Sequence, residues 1–277
     1  MRLFKGLYIG GDRIMSRYAV NKLFLFSISV IGLFLTGCNI LTPQIDRTFS
    51  PPENGRTVKI TVDVPDVAEL SPMKVMYRSN LCRKTYNNNE VPTYTVSGFN
   101  SEMVLLEKEG NSSLYSAEIP YRGGGKCDWQ LSNITLNLNL KNHEYFSKNI
   151  TGIVGAGIIV IFDNNQPQQT GHKPIDKKGD FDIVKNYFPW VSNSFKNSNN
   201  VNLWLYGEEL DLYYKSRNAQ KITWKPIIHT DIVVYSEYPA ERKTEGVSKI
   251  YYYPDGTKTS NRDGKPDYKK LLSLIKE

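Results

Sequence analysis

From residue 57 onward, apolar and polar positions alternate with a period of two along much of the chain. Val58, Ile60, Val62 and Val64 are separated by Lys59, Thr61 and Asp63, the pattern of a strand with one buried and one solvated face. Ile134, Leu136, Leu138 and Leu140 repeat it, with Thr135, Asn137 and Asn139 between them. Segments rich in β-branched and aromatic residues predict further strands at 74–78, 93–97, 102–107, 114–119, 201–206, 210–215 and 227–235. The run from Ile150 to Phe162 is almost wholly apolar with glycines at 152, 155 and 157. It predicts one central, buried strand that another backbone approaches closely. Val247 to Tyr253 leads into Pro254-Asp255-Gly256-Thr257, a strand entering a tight turn. Two helices are expected. Asp267 is placed as an N-cap, with Tyr268, Leu271, Leu272 and Ile275 at helical spacing behind it, and a second helix is expected near 180–188. The fold class is therefore mainly β, antiparallel sheets in a sandwich-like arrangement with a short C-terminal helix.

The start of the chain has another pattern. Arg17 and Lys22 precede an apolar run, Leu23 to Leu35, that ends in Leu35-Thr36-Gly37-Cys38. A bilayer span needs about 20 apolar residues, whereas a basic start, a shorter apolar core and small residues at the end make a secretory signal. Either Met1 or Met15 can begin it. The tetrapeptide resembles the lipobox of bacterial lipoproteins, whose cysteine is acylated and becomes the first mature residue. That resemblance implies loss of residues 1–37, a lipid on Cys38 and anchorage in a membrane. Asn39 in place of aspartate implies the outer membrane, on its periplasmic face. Residues 38–56, with Pro43, Pro51, Pro52, Asn54 and Gly55, read as a flexible tether. Residues 57–277 read as a β-rich periplasmic domain, with the polar stretch between 163 and 200 as the place for any internal boundary.

Removing the signal changes the charge. Of 35 basic and 28 acidic residues, 30 and 27 remain, a net of +3, which argues against a nucleic-acid partner. It also simplifies the cysteines. With Cys38 carrying lipid, Cys82 and Cys127 are left as a pair in a compartment where disulfides persist. The alternative is two separately buried thiols.

Local catalytic signatures are missing. His143, His172 and His229 fall in no metal-binding spacing, and HExxH, CxxC and GxSxG do not occur. The acidic stretch 255–267 fails as a calcium loop, because Thr259 and Lys270 stand where an aspartate and a bidentate glutamate are required. No metal, cofactor or enzymatic activity is expected. Eighteen tyrosines and four tryptophans offer adhesive chemistry instead. Successive side chains on a strand point to opposite faces, so runs such as Trp204-Leu205-Tyr206, Tyr213-Tyr214 and Tyr251-Tyr252-Tyr253 must either face outward or lie under another layer. Trp204, Tyr206, Tyr213, Tyr251 and Tyr253 are the candidates for contacting a protein partner.

With Leu35–Asn39, the stretch from Trp129-Gln130-Leu131 through Gly152-Ile153-Val154, and the tyrosine-rich C-terminal strands, the chain resembles the immunity lipoproteins that accompany type VI secretion lipase effectors, the phospholipase A1-binding group. The resemblance implies a periplasmic inhibitor that binds a cognate phospholipase. The alternatives are a structural or assembly lipoprotein of the envelope or a secretion system, and an envelope hydrolase with a histidine–carboxylate pair in an open cleft.

Overall fold

The computed structural model describes residues 45–88, 91–165, 173–193, 200–209, 211–238, 249–261 and 263–276. The signal segment, Cys38 and His172 lie outside them. Residues 45–277 form one compact unit, and they are mainly β, as the alternating pattern predicts.

One sheet runs in the order β18 (Lys258–Asn261), β17 (Lys249–Tyr252), β16 (Val234–Glu237), β12 (Phe181–Asn193), β15 (Lys221–Ile228), β1 (Thr57–Asp63), β6 (Leu114–Pro120) and β5 (Glu107–Lys108). Beside β12 lies β13 (Val201–Tyr206), which in turn pairs with β9 (Ile150–Val154). The other sheet runs β11 (Ile175–Lys178), β14 (Asp211–Arg217), β10 (Ala156–Ile161), β8 (Trp129–Leu140), β3 (Met73–Asn88) and β4 (Val91–Val104). β2 (Ala68–Leu70) and β7 (Arg122–Gly124) also pair with β8. Ladders formed by chain neighbours, such as β3–β4 and β17–β18, are antiparallel. Six others, β1–β15, β12–β15, β12–β16, β9–β13, β10–β14 and β11–β14, are parallel. The sheets are thus mixed, since strands joined through long excursions can enter from the same end.

The two sheets enclose a common core. Val58, Ile60 and Val62 of β1 and Ile222 and Trp224 of β15 meet Ile134, Leu136 and Leu138 of β8 and Ile158 and Val160 of β10. A second, smaller cluster lies on the far face of the first sheet, where Phe188, Trp190, Tyr206, Val234, Tyr251 and Tyr253 pack under Leu271 of α1 (Tyr268–Ser273). The alternation in β12 and β13 explains both clusters. Ile183, Tyr187, Val191, Leu203 and Leu205 enter the common core, and the residues between them, Phe188, Trp190 and Tyr206, enter the second. Asp267 caps α1 as expected, its carboxylate accepting from the Lys269 and Lys270 amides at 2.9 and 3.2 Å.

Five sequence expectations need correction. The segment 180–188 is not a helix but the first half of β12. Phe181, Ile183 and Tyr187 turn to the common core, Phe188 to the second, and Val184 is exposed, so apolar residues on both faces hide the period of two. The run 150–162 is not one strand, because it breaks at Gly155 into β9 and β10, which join different sheets. A Cβ on Gly155 would lie 2.3 Å from the Leu138 carbonyl oxygen, so the close backbone approach is real and the chain turns there. The run 227–235 is likewise split, β15 ending at Ile228 and β16 starting at Val234, and the run 102–107 is interrupted between Val104 and Glu107. Within the segment read as a tether, Ile45 and Phe49 pack against the common core. The Phe49 ring lies 4.9 Å from that of Tyr77, so this part of the chain is docked.

Candidate functional site

Two features outside the common core carry chemistry that could meet another molecule. The first is a cleft of about 420 Å³ at the margin of the aromatic cluster. Trp190 and Trp204 are directly opposed across β12 and β13, so their rings can stack, and they do so at 5.3 Å. The Trp190 indole donates to Ser236 Oγ at 2.7 Å. Tyr206 closes the inner wall, its hydroxyl donating to the Pro266 carbonyl at 2.9 Å. Tyr213 comes from β14 of the other sheet, and Asp211, on the same face of that strand, stands at the rim. Partial desolvation raises the Asp211 carboxyl above its usual range. The loop after β18 supplies Asp263, Gly264 and Lys265. Asn261 holds this loop by donating to the Lys265 carbonyl and accepting from the Asp263 amide. Gly264 occupies φ +71°, the left-handed region that favours glycine. Lys265 pairs with Glu209 at 3.3 Å.

The most unusual member is Lys249 of β17. It is only 7% exposed yet lines the cleft. Its ammonium donates to Ser192 Oγ at 2.5 Å and lies over the rings of Trp190 at 5.2 Å and Tyr238 at 4.8 Å. Among the described residues no carboxylate pairs with it. Desolvation lowers its pKa, because the charged form has lost water without gaining a counter-ion.

The second feature is the hairpin of β3 and β4. β8 pairs with β3 only from Lys74 to Arg78; beyond Ser79 the two strands form an arm paired, among the described residues, with each other alone. At the base of the arm Cys82 and Cys127 are joined in a disulfide. Here β3 bulges, four residues standing between Ser79 and Lys84 against the single residue Ser97 on β4. Ser79 Oγ organises the bulge by donating to the Cys127 carbonyl and accepting from the Leu81 and Cys82 amides. Gly98 makes room for it, since a Cβ there would lie 1.8 Å from the Cys82 carbonyl oxygen. On the arm Leu81, at the crest, is 72% exposed and Tyr94 49%; Met103, further along β4 in the sheet body, is 62% exposed. Tyr86 and Tyr94 stack at 5.3 Å, and Lys84 lies over Tyr86.

The five aromatic residues expected at a partner surface come together, but not on an open face. Tyr206, Tyr213, Tyr251 and Tyr253 are buried and Trp204 is half-buried. Trp204, Tyr206 and Tyr213 line the cleft, and Tyr251 and Tyr253 lie behind it in the second cluster. The tyrosine runs are thus covered by another layer. Sequence reading missed Trp190, Asp211 and Lys249. Lys249 shares its strand face with Tyr251 and Tyr253, and a cation at that phase was the available signal. Of the histidines, His229 bonds to the Asn186 amide oxygen at 2.8 Å and stacks on Phe188 at 5.0 Å; burial lowers its pKa. His143 belongs to a 3₁₀ turn, 143–145. Neither lines the cleft. Among the described residues no cluster of three or more His, Cys, Asp or Glu side chains could hold a metal, and no helix is long and apolar enough to cross a membrane.

Comparison with known proteins adds nothing to this geometry: no family model matches the chain, and no curated protein or solved structure matches it.

Proposed function

We propose that this chain is a lipid-anchored periplasmic protein that binds a secreted phospholipase and blocks it. The observation that carries the reading is the disulfide-stapled arm. It exposes Leu81 and Tyr94 on a hairpin held at its root by a covalent bond. Exposed apolar and aromatic side chains on a preorganised element are what a protein interface requires, since little ordering entropy is lost on docking. Ile45 stands seven positions beyond Cys38. An extended chain of that length reaches about 25 Å, so a lipid on Cys38 would keep Ile45 close to the bilayer that a phospholipase attacks. Tethering raises the effective concentration of a blocker at that surface, and blocking needs no chemistry of its own.

The test is vesicle hydrolysis by any phospholipase encoded next to this gene, and the absence of one there would count against the function. The mature protein should abolish it at stoichiometric ratio. A variant in which residues 84–96 are replaced by a short turn, leaving Cys82 and Gly98 in place, should inhibit at least about tenfold less well. Undiminished hydrolysis in the presence of folded wild-type protein rejects the function; full inhibition by the trimmed variant rejects the arm as its agent. One observation favours a second reading. β4 ends its sheet, and its 14 residues present an edge that another chain could extend, as an assembly lipoprotein would use. Co-purification with envelope machinery, and envelope defects on deletion without any attacker, would single out that reading.

A further inference from the structure

The aromatic cleft is independent of the arm, and its chemistry selects a ligand of its own. We propose that it binds a saccharide carrying a carboxylate, with the carboxylate at Lys249, a pyranose face against Trp204, and hydroxyls at the rim carboxylates. Lys249 is the strongest element. An ammonium has three donors, and the contacts described use one of them, on Ser192. The ring faces of Trp190 and Tyr238 offset part of the desolvation, but they are not counter-ions. Among the described residues no carboxylate stands against this ammonium, and a buried charge so placed in the wall of a cleft is suited to receive an anion.

The rest of the lining narrows the class. Glu209, Asp211 and Asp263 outnumber Lys249 and Lys265, so a phosphorylated polyanion would be repelled. A fatty acid could give its carboxylate to Lys249, but its hydrocarbon would lie against the charged rim and desolvate it without hydrogen bonds. A sugar meets both demands. Its C–H face packs on an indole, and its hydroxyls donate to carboxylates such as Asp211. The cleft volume of about 420 Å³ falls within the roughly 300–1,000 Å³ of small-molecule sites.

The experiment uses the full mature protein, purified from the envelope in detergent, and matched sugar pairs. N-acetylmuramic acid differs from N-acetylglucosamine by a lactyl carboxylate, and glucuronic acid differs from glucose by oxidation of one carbon. Binding is read by saturation-transfer NMR and tryptophan fluorescence. The acidic member of at least one pair should bind about tenfold or more tightly than its neutral partner, the effect of a charge-assisted hydrogen bond. Lys249→Gln should reduce the acidic sugar to the neutral level while leaving the melting temperature unchanged or higher, because an unpaired buried charge is removed. Lys249→Arg should keep the discrimination, which covers the case in which Lys249→Gln does not fold. Equal affinity for both members of both pairs, no binding up to about 10 mM, or acidic-sugar binding by folded Lys249→Gln at wild-type strength overturns the proposal. Tight binding of laurate in place of the sugars overturns it as well. None of these readouts depends on a phospholipase, so the proposal and the function above can fail separately.

Discussion

Breaking the Cys82–Cys127 bond should cost a large part of the stability of this fold. The two cysteines stand 45 positions apart, and the loop they close carries the distal arm and all of β4, β5, β6 and β7. In the chain-entropy relation, a loop of that size restricts the unfolded chain by about 4 kcal/mol at 25 °C. Typical domains hold roughly 5–15 kcal/mol in total, so the unfolding equilibrium should shift by about three orders of magnitude. The folded side should change less. Ser79 Oγ still bonds to the Cys127 carbonyl and to the Leu81 and Cys82 amides, which keeps the bulge organised. Cys127 is fully buried, so Cys82→Ala/Cys127→Ala is the better probe, avoiding a buried hydroxyl. Urea unfolding followed by tryptophan fluorescence, wild type against the double variant, gives the difference. A loss below about 1 kcal/mol would refute the reasoning, showing that the unfolded loop is already constrained or that the bond strains the fold by a compensating amount.

Three further changes test local parts of the account. Asp267→Ala removes the only side-chain cap of α1 among the described residues and should lower stability by about 1 kcal/mol in urea unfolding; no change would mean that packing of Leu271 alone holds the helix. Gly98→Ala places a methyl against the Cys82 carbonyl, so backbone must move. A loss of about 1–3 kcal/mol or more is expected, and an unperturbed variant would show that the bulge is looser than described. Asp255 is held at a pKa of about 2, below its ordinary 3.8, chiefly by the Thr257 hydroxyl and by Lys270. A depressed folded pKa gives stability that is full above the unfolded value and is lost as pH falls through the folded one. The gap in urea midpoint between wild type and Asp255→Asn should therefore be constant above about pH 4 and close towards pH 2. A gap that persists at the acid end would show that charge is not its source.

Elements with one dry and one wet face were legible in the chain. Val58–Val64 and Ile134–Leu140 have that pattern and became β1 and the C-terminal half of β8. The cysteine pair followed from setting Cys38 aside, and the cap at Asp267 from its place before an apolar helical spacing. Double burial defeated the same method. Phe181, Val184 and Phe188 sit at spacings that a helix would also give, yet in β12 Phe181 packs on the common core, Phe188 enters the second aromatic layer and Val184 faces solvent. Gly155 announced a close approach but not that the chain would change sheets there. The cleft was half legible: its tryptophan and tyrosines stood out by type, whereas Asp211 and Lys249 acquire meaning only when β14 of one sheet and β17 of the other converge. The arm was not legible as an arm, because its strands read like any others until β8 is seen to stop pairing at Arg78.

The account rests on delivery of this folded body to the outside of the cytoplasm on a lipid at Cys38. Intact mass spectrometry of the protein extracted from cell envelopes tests that directly. The predicted result is a chain lacking residues 1–37, beginning at an acylated Cys38 and carrying one internal disulfide. A polypeptide that retains residues 1–37, with an unmodified thiol at position 38, would contradict it.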